Sequence, residues 1–82
     1  MARPGRSKRA ESRHVEQAGR LAARLRALRE QHGLTQEQLA ARAGISVATV
    51  RNIERATVVE PSLFTVLEMV RVLGVTIEEV AI

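Results

Sequence analysis

Apolar residues recur at helical spacing along most of the chain, and this pattern predicts a protein built from helices. Leu21, Leu25 and Leu28 follow the spacing i, i+4, i+7 and define the apolar stripe of a first helix from about Val15 to Gln31. The same pattern predicts four more helices, at residues 36–43, 47–54, about 62–73 and 77–80. The expected fold class is all-α, a compact five-helix domain.

Two short helices separated by a tight turn stand at the centre of the chain. Thr35 and Ser46 each precede one of them and are suited to cap it, because a hydroxyl oxygen accepts an otherwise unpaired backbone N–H. Gly44 ends the first, since glycine adopts the left-handed conformation without steric cost. Val50 and Ile53 share one face of the second helix and are expected to pack inward. The outward face then holds Val47, Ala48, Arg51 and Asn52.

This combination resembles the helix-turn-helix of the phage-repressor and Cro-like (XRE-type) DNA-binding family. The resemblance rests on the spacing of Gln36, Ala40, Gly44, Val50 and Ile53, and it extends over roughly residues 18–80. The segments GLTQEQLAARAGIS and PSLFTVLEMVRVLGVTIEEV match the family as closely as the central motif does. It implies a lambda-repressor-like domain at residues 15–82. It also implies a sequence-specific double-stranded DNA-binding transcriptional regulator, most simply a repressor, that binds a palindromic operator as a homodimer.

The geometry of the DNA major groove gives the outward face its expected roles. Arg51 is suited to donate two hydrogen bonds to guanine, Val47 and Ala48 to pack against a thymine methyl group, and Asn52 to bond adenine or a phosphate. The residues expected to contact phosphates are Thr35, Gln36, Ser46, Arg55 and Thr57. For Arg51 and Gln36, the alternative interpretation is an ordinary solvated side chain, and for Val47 and Ala48 it is a surface residue without a DNA contact.

The resemblance also implies an ion pair between Arg29, near the end of the first helix, and Glu54, late in the second short helix. Two independent surface charges are the alternative. The loop after Arg55 departs from the family, because Ala56 stands where relatives have glycine, and it offers fewer phosphate contacts. The apolar residues expected at the dimer interface are Val58, Val59 and Phe64. Insertion of Phe64 into the monomer core is the alternative for that residue.

The positive charge lies at the amino end. Residues 1–14 carry five basic residues and one acidic residue, whereas residues 15–82 carry eight of each, so the whole net charge of +4 belongs to residues 1–14. This segment has no apolar period and is expected to be a disordered arm that lies along DNA. Its cations are Arg3, Arg6, Lys8, Arg9 and Arg13. A solvated leader without a DNA contact is the alternative.

Several kinds of chemistry have no support in the composition. The chain has no cysteine, one aromatic residue and two histidines that lie far apart, so no metal site is expected. No glycine-rich phosphate loop or nucleophile–base pair is present, and we expect neither a cofactor nor catalysis. No membrane span or secretory signal is visible, and we expect a cytoplasmic protein.

The alternative to a DNA-binding regulator is an antitoxin-like protein-interaction module. Its partner would be a toxin or another protein, and its DNA binding would be weak or secondary.

Overall fold

Five helices make up the described part of the molecule, which contains no strand. The computed structural model describes residues 8–57 and 61–81, with side chains described for 14–57 and 61–80. The helices are α1 (Lys8–Gln31), α2 (Gln36–Ala43), α3 (Val47–Glu54), α4 (Leu63–Leu73) and α5 (Ile77–Ala81). The prediction of an all-α five-helix domain is confirmed. Over the described ranges, no helix is both long and apolar enough to span a bilayer.

The ends of α2 are set by side-chain chemistry that the sequence displays. The Thr35 hydroxyl accepts the backbone N–H of Gln38 at 3.0 Å, and the Gln38 side chain accepts the Thr35 N–H at 2.9 Å, which forms a capping box. Gly44 ends the helix with φ 72° and ψ 31°, a left-handed conformation. Three residues, 44–46, then turn the chain into α3, whose cap Ser46 accepts the Thr49 N–H. The turn and its caps therefore fix α3 beside α2.

The core lies where α1 and α4 meet the two central helices. α2 packs against α3 and α4, while α1 packs against α3, α4 and α5. Leu25, Leu39, Val50 and Met69 are each 0% exposed at the centre of this cluster. Ala40 is 3% exposed, and its small side chain lets α2 pack closely against its neighbours. The core therefore holds α3 from one side and leaves its other side in contact with solvent.

Helix α4 buries a face that coincides only in part with the one that the sequence pattern favours. The apolar period of this segment predicts an inward stripe of Leu63, Leu67 and Val70, with Val66 and Leu73 beside it. Val66, Val70 and Leu73 are buried, but Leu63 is 59% exposed and Leu67 is 36% exposed. The buried residues are Val66, Met69, Val70 and Leu73, at the spacing i, i+3, i+4, i+7. Eight of the eleven positions of α4 are apolar, so its sequence is compatible with more than one buried face, and packing against α2 decides between them.

Helix α1 begins at Lys8, seven residues before the start that the apolar period indicates. The structure thus differs from the expected disorder over residues 8–14, which it places in the helix. No proline or glycine interrupts the segment between Lys8 and Val15, and Ala10 and Glu11 favour helix. An apolar stripe marks only the part of a helix that packs, so it does not detect an extension beyond the core. Residues 1–7 lie outside the described residues.

Helix α3 is followed by an alanine in a backbone conformation that is unusual for that residue. Ala56 has φ 58°, in the left-handed region that glycine adopts freely. The Ala56 N–H donates to Ile53 O and the Thr57 N–H donates to Asn52 O, both at 3.0 Å. These two bonds form a Schellman motif, the helix ending in which glycine normally takes the left-handed position. The helix ending therefore forms with alanine rather than glycine in the left-handed position.

Candidate nucleic-acid interface

The outward side of α3 carries a stripe of four residues at the spacing i, i+3, i+4, i+7. Ala48, Asn52 and Arg55 are exposed, and Arg51 is half-exposed with 43% of its side chain in solvent. Val47 was expected on this face, but it is half-buried and packs against the core, so it lies at the edge of the stripe. The accessible set is therefore smaller and more polar than the sequence indicated.

Behind this face, Arg29 and Glu54 join α1 to α3. Arg29 Nε donates to Glu54 Oε2 at 2.7 Å and Arg29 Nη2 donates to Glu54 Oε1 at 3.1 Å, a bidentate arrangement. The side chains are 11% and 3% exposed, respectively. Arg29 Nη1 also donates to the carbonyl of Leu34 at 2.7 Å, which ties the loop before α2 to the same guanidinium. The pair therefore connects three segments of the chain.

The charge state of Arg29 follows from this contact. Its side-chain hydrogen bonds with Glu54 raise the pKa of Arg29 above the ordinary value, against the opposing effect of burial. A cation with a raised pKa contributes its stabilisation fully below the pKa of the unfolded chain. Since that value lies far above neutrality for arginine, the contribution is present across the whole physiological pH range.

Gln36 belongs to the same network. Its Nε2 donates to Glu54 Oε1 at 3.0 Å. A carboxylate only accepts hydrogen bonds, so the nitrogen end of the amide must face Glu54. One N–H of that nitrogen remains, and Gln36 stands at the first position of α2, where backbone N–H groups and the helix dipole attract an anion.

A shallow depression opens beside this network. Its volume is about 440 Å³, and it is lined by Arg26, Arg29, Thr35, Gln36, Glu54 and Arg55. Three arginines and one acid surround it, so the local charge is positive although residues 15–82 are neutral as a whole. Arg26 also pairs with Glu30 one helical turn away at 3.3 Å, an exposed contact that offsets part of this charge. The depression has the charge and the donors to accept a phosphate group.

The hydroxyl groups expected to contact phosphates make different hydrogen bonds within the protein. Thr35 and Ser46 use their oxygens as helix caps, which leaves the Thr35 hydroxyl hydrogen available to donate. The Ser46 and Thr49 hydroxyls share a hydrogen bond of 2.7 Å. Thr57 donates its hydroxyl to Asn52 O at 2.9 Å, so a phosphate contact would have to replace that bond. Thr35 is therefore the best prepared of these residues.

Arg51 has a partner that the sequence did not indicate. Its Nη2 donates to Glu37 Oε2 at 3.4 Å, from α3 to the first turn of α2. The two residues are fourteen positions apart and on different helices, so no local spacing marks them as a pair.

Arg26 was also not predicted as a residue of this site. It lies one turn before Arg29 on α1, and the spacing i, i+3 places both residues on one face of the helix.

The remaining expected residues lie away from this face or outside the described residues. Phe64 is 76% exposed, so its insertion into the monomer core is not observed. With Leu63 and Leu67 it forms an exposed apolar surface on α4, referred to below as the α4 patch. Val58, Val59, Arg3 and Arg6 lie outside the described residues, as do the side chains of Lys8, Arg9 and Arg13. In the part of the chain that the structure describes, no group of three or more His, Cys, Asp or Glu side chains could hold a metal ion.

Comparison with known proteins identifies the family. The model of the helix-turn-helix family matches residues 25–80, which include α2, α3 and α4 in full. Comparisons with curated proteins and with solved structures give no match. The matched segment covers more than half of the chain and contains the capped turn and the outward stripe of α3. The chain therefore belongs to the helix-turn-helix family, and it is a DNA-binding transcription regulator of the XRE type.

Proposed function

We propose that the protein is a sequence-specific repressor that binds a palindromic double-stranded DNA operator as a homodimer. The observation that carries the proposal is the solvent-facing stripe of α3 beside the capped, positively surrounded start of α2. A helix of this size fits the major groove, and a neighbouring helix N-terminus then lies beside the phosphate backbone.

Three residues of α3 are proposed to read bases. Arg51 donates to the O6 and N7 atoms of a guanine, Ala48 packs against a thymine methyl group, and Asn52 bonds adenine or a phosphate. Val47 contributes from the edge of the face, since part of its side chain packs on the core. One such helix contacts too few base pairs for useful specificity, which favours a dimer.

Phosphate contacts are proposed at the depression. Gln36 and Thr35 keep hydrogen-bond donors free there, and Arg55 adds a positive charge from the end of α3. Ser46 and Thr57 are proposed at the flanks. The basic arm of residues 1–14 is proposed to add contacts that do not depend on sequence, because each neutralised phosphate releases counterions.

The α4 patch is proposed as the dimer interface, together with Val58 and Val59. Leu63 and Phe64 are 59% and 76% exposed and lie beside Leu67, so they form a contiguous apolar surface rather than a single exposed side chain. A two-fold axis at this patch would present two copies of α3 about 34 Å apart, one turn of DNA. The same patch supports the alternative function, in which it binds a toxin or another protein and DNA binding is secondary.

The test begins with duplexes selected from a random DNA pool by the full-length protein. Arg51→Ala should lose about 1–3 kcal/mol of binding to the selected duplex and relax the preference at one base pair. Gln36→Ala should weaken binding to selected and scrambled duplexes alike, since a phosphate contact carries no sequence information.

Arg20→Ala is the charge-matched control, because Arg20 is an exposed arginine on α1. It should leave the base preference unchanged. Failure of the wild type to enrich any sequence would refute the proposal of a specific operator. Copurification of the chain with a different protein, lost in a Phe64→Asp variant, would favour the interaction module.

A further inference from the structure

The ion pair between Glu37 and Arg51 places a negative charge directly on the proposed DNA-binding face. The contact is 3.4 Å long, and the side chains are 66% and 43% exposed. An exposed pair of this kind contributes little to folding stability. A carboxylate beside a polyanion also opposes binding, because it repels nearby phosphates. The helix dipole favours an acid in the first turn of α2, but it does not account for the contact of that acid with Arg51.

The chemistry of arginine suggests what the acid does. A guanidinium has five N–H donors, and recognition of a guanine through O6 and N7 uses two of them. The contact with Glu37 uses one donor on Nη2. Arg51 can therefore keep Glu37 and still donate twice to guanine, provided that the guanine lies where the held guanidinium points.

We propose that Glu37 is a specificity-determining residue that acts by positioning Arg51. The carboxylate holds the guanidinium in one orientation and repels phosphates that would otherwise draw it aside. Base pairs without the two guanine acceptors then gain less from Arg51, and sequence discrimination rises while affinity for other DNA falls. This inference rests on the proposed base-reading role of Arg51.

The test is Glu37→Gln in the full chain, measured on a duplex selected from random DNA by the wild type and on a scrambled duplex. Glutamine keeps the length of the side chain and removes its charge. Affinity for the scrambled duplex should rise by up to about five-fold, the range expected for losing an exposed charge interaction. Discrimination at the base pair that Arg51 reads should fall by a similar factor.

Glu68→Gln is the matched control, since Glu68 is also exposed and pairs with an arginine, Arg71, at 2.8 Å. It removes the same charge from α4 and should leave base discrimination unchanged. Equal changes in Glu37→Gln and Glu68→Gln would overturn the proposal, because they would show an effect of net charge alone.

The double variant Arg51→Ala/Glu37→Gln separates this inference from the function on which it rests. If Glu37 acts through Arg51, adding Glu37→Gln to Arg51→Ala should cause no further loss of discrimination. Discrimination that depends on Arg51 but not on Glu37 would overturn the positioning role alone. Discrimination that does not change in Arg51→Ala would refute base reading by Arg51, and the positioning role with it.

Discussion

Replacing Glu54 by alanine should destabilise the fold, because it removes the carboxylate that pairs with Arg29 in the interior. The Arg29 side chain is only 11% exposed and would keep its hydrogen bond to the Leu34 carbonyl, at 2.7 Å, and a longer contact of 4.0 Å with the exposed carboxylate of Glu30. Breaking a buried pair by removing one partner costs about 3–5 kcal/mol. Arg29 also lines the open depression, so water can reach it in part, and we expect a cost near the lower end, about 3 kcal/mol.

This loss is large for a domain of this size. At about 0.05–0.15 kcal/mol per residue, a chain of 82 residues has a stability of about 4–12 kcal/mol. The variant should therefore remain folded at low temperature but unfold at a much lower urea concentration. Since the chain has no tryptophan or tyrosine, the assay is urea unfolding followed by far-ultraviolet circular dichroism.

A double-mutant cycle with Arg29→Met isolates the pair. The coupling energy should be about 2–3 kcal/mol, because the double variant no longer leaves a charge without its partner. The pair of Glu68 with Arg71 is the control, since its distance of 2.8 Å is similar but its side chains are 48% and 62% exposed. That cycle should give about 0–1 kcal/mol and decrease in salt. A coupling between Arg29 and Glu54 no larger than the control would refute the argument from burial.

Three further predictions concern the end of α3, the α4 patch and the arm. Ala56→Gly should stabilise the domain by about 0.5–1 kcal/mol, because the φ of Ala56 is 58° and glycine adopts that conformation freely. Ala48→Gly, inside α3, should destabilise the domain by about as much, and thermal unfolding of the two variants should shift the midpoint in opposite directions. Phe64→Asp should sediment as a monomer, whereas the control Val15→Asp, at an exposed apolar residue of α1, should remain a dimer. A dimer retained in Phe64→Asp would show that the interface lies elsewhere. Deleting residues 1–14 should flatten the slope of log affinity against log salt by about 2–4 units, and equal slopes would make the segment a solvated leader.

The parts of the fold that the sequence predicts are those governed by local chemistry. The bounds of α2 and α3 agree with prediction because Thr35, Gly44 and Ser46 act within a few residues of the helix ends. The predicted inward stripe of α4 agrees with the structure at Val70 but was wrong at Leu63 and Leu67, because these two residues fit a helical period as well as the residues that pack. Only contact with another helix distinguishes such faces, and a single sequence does not contain that information.

The same distinction applies to the candidate interface. The outward positions of Ala48, Arg51 and Asn52 follow from helical period once Val50 and Ile53 are taken as inward. The contact of Arg51 with Glu37 does not follow, since it depends on the angle and distance between α2 and α3. An ion pair between two helices joined by a turn can be identified only from the three-dimensional arrangement of those helices.

The carboxylate of Glu54 links the stability of the domain to its proposed contact with DNA. It accepts from Arg29, which connects α1 and the loop at Leu34, and from Gln36 at the start of α2. The bond that helps to hold α3 in the core therefore also orients the amide proposed to meet a phosphate. Glu54 Oε1 also accepts from Arg29 Nη2, but a hydrogen bond to a charged acceptor is worth about 1.5–3 kcal/mol, so turning the amide away from Glu54 is unfavourable. In the proposed complex the side chain would therefore meet the phosphate already oriented, and binding would not carry the entropy cost of ordering it.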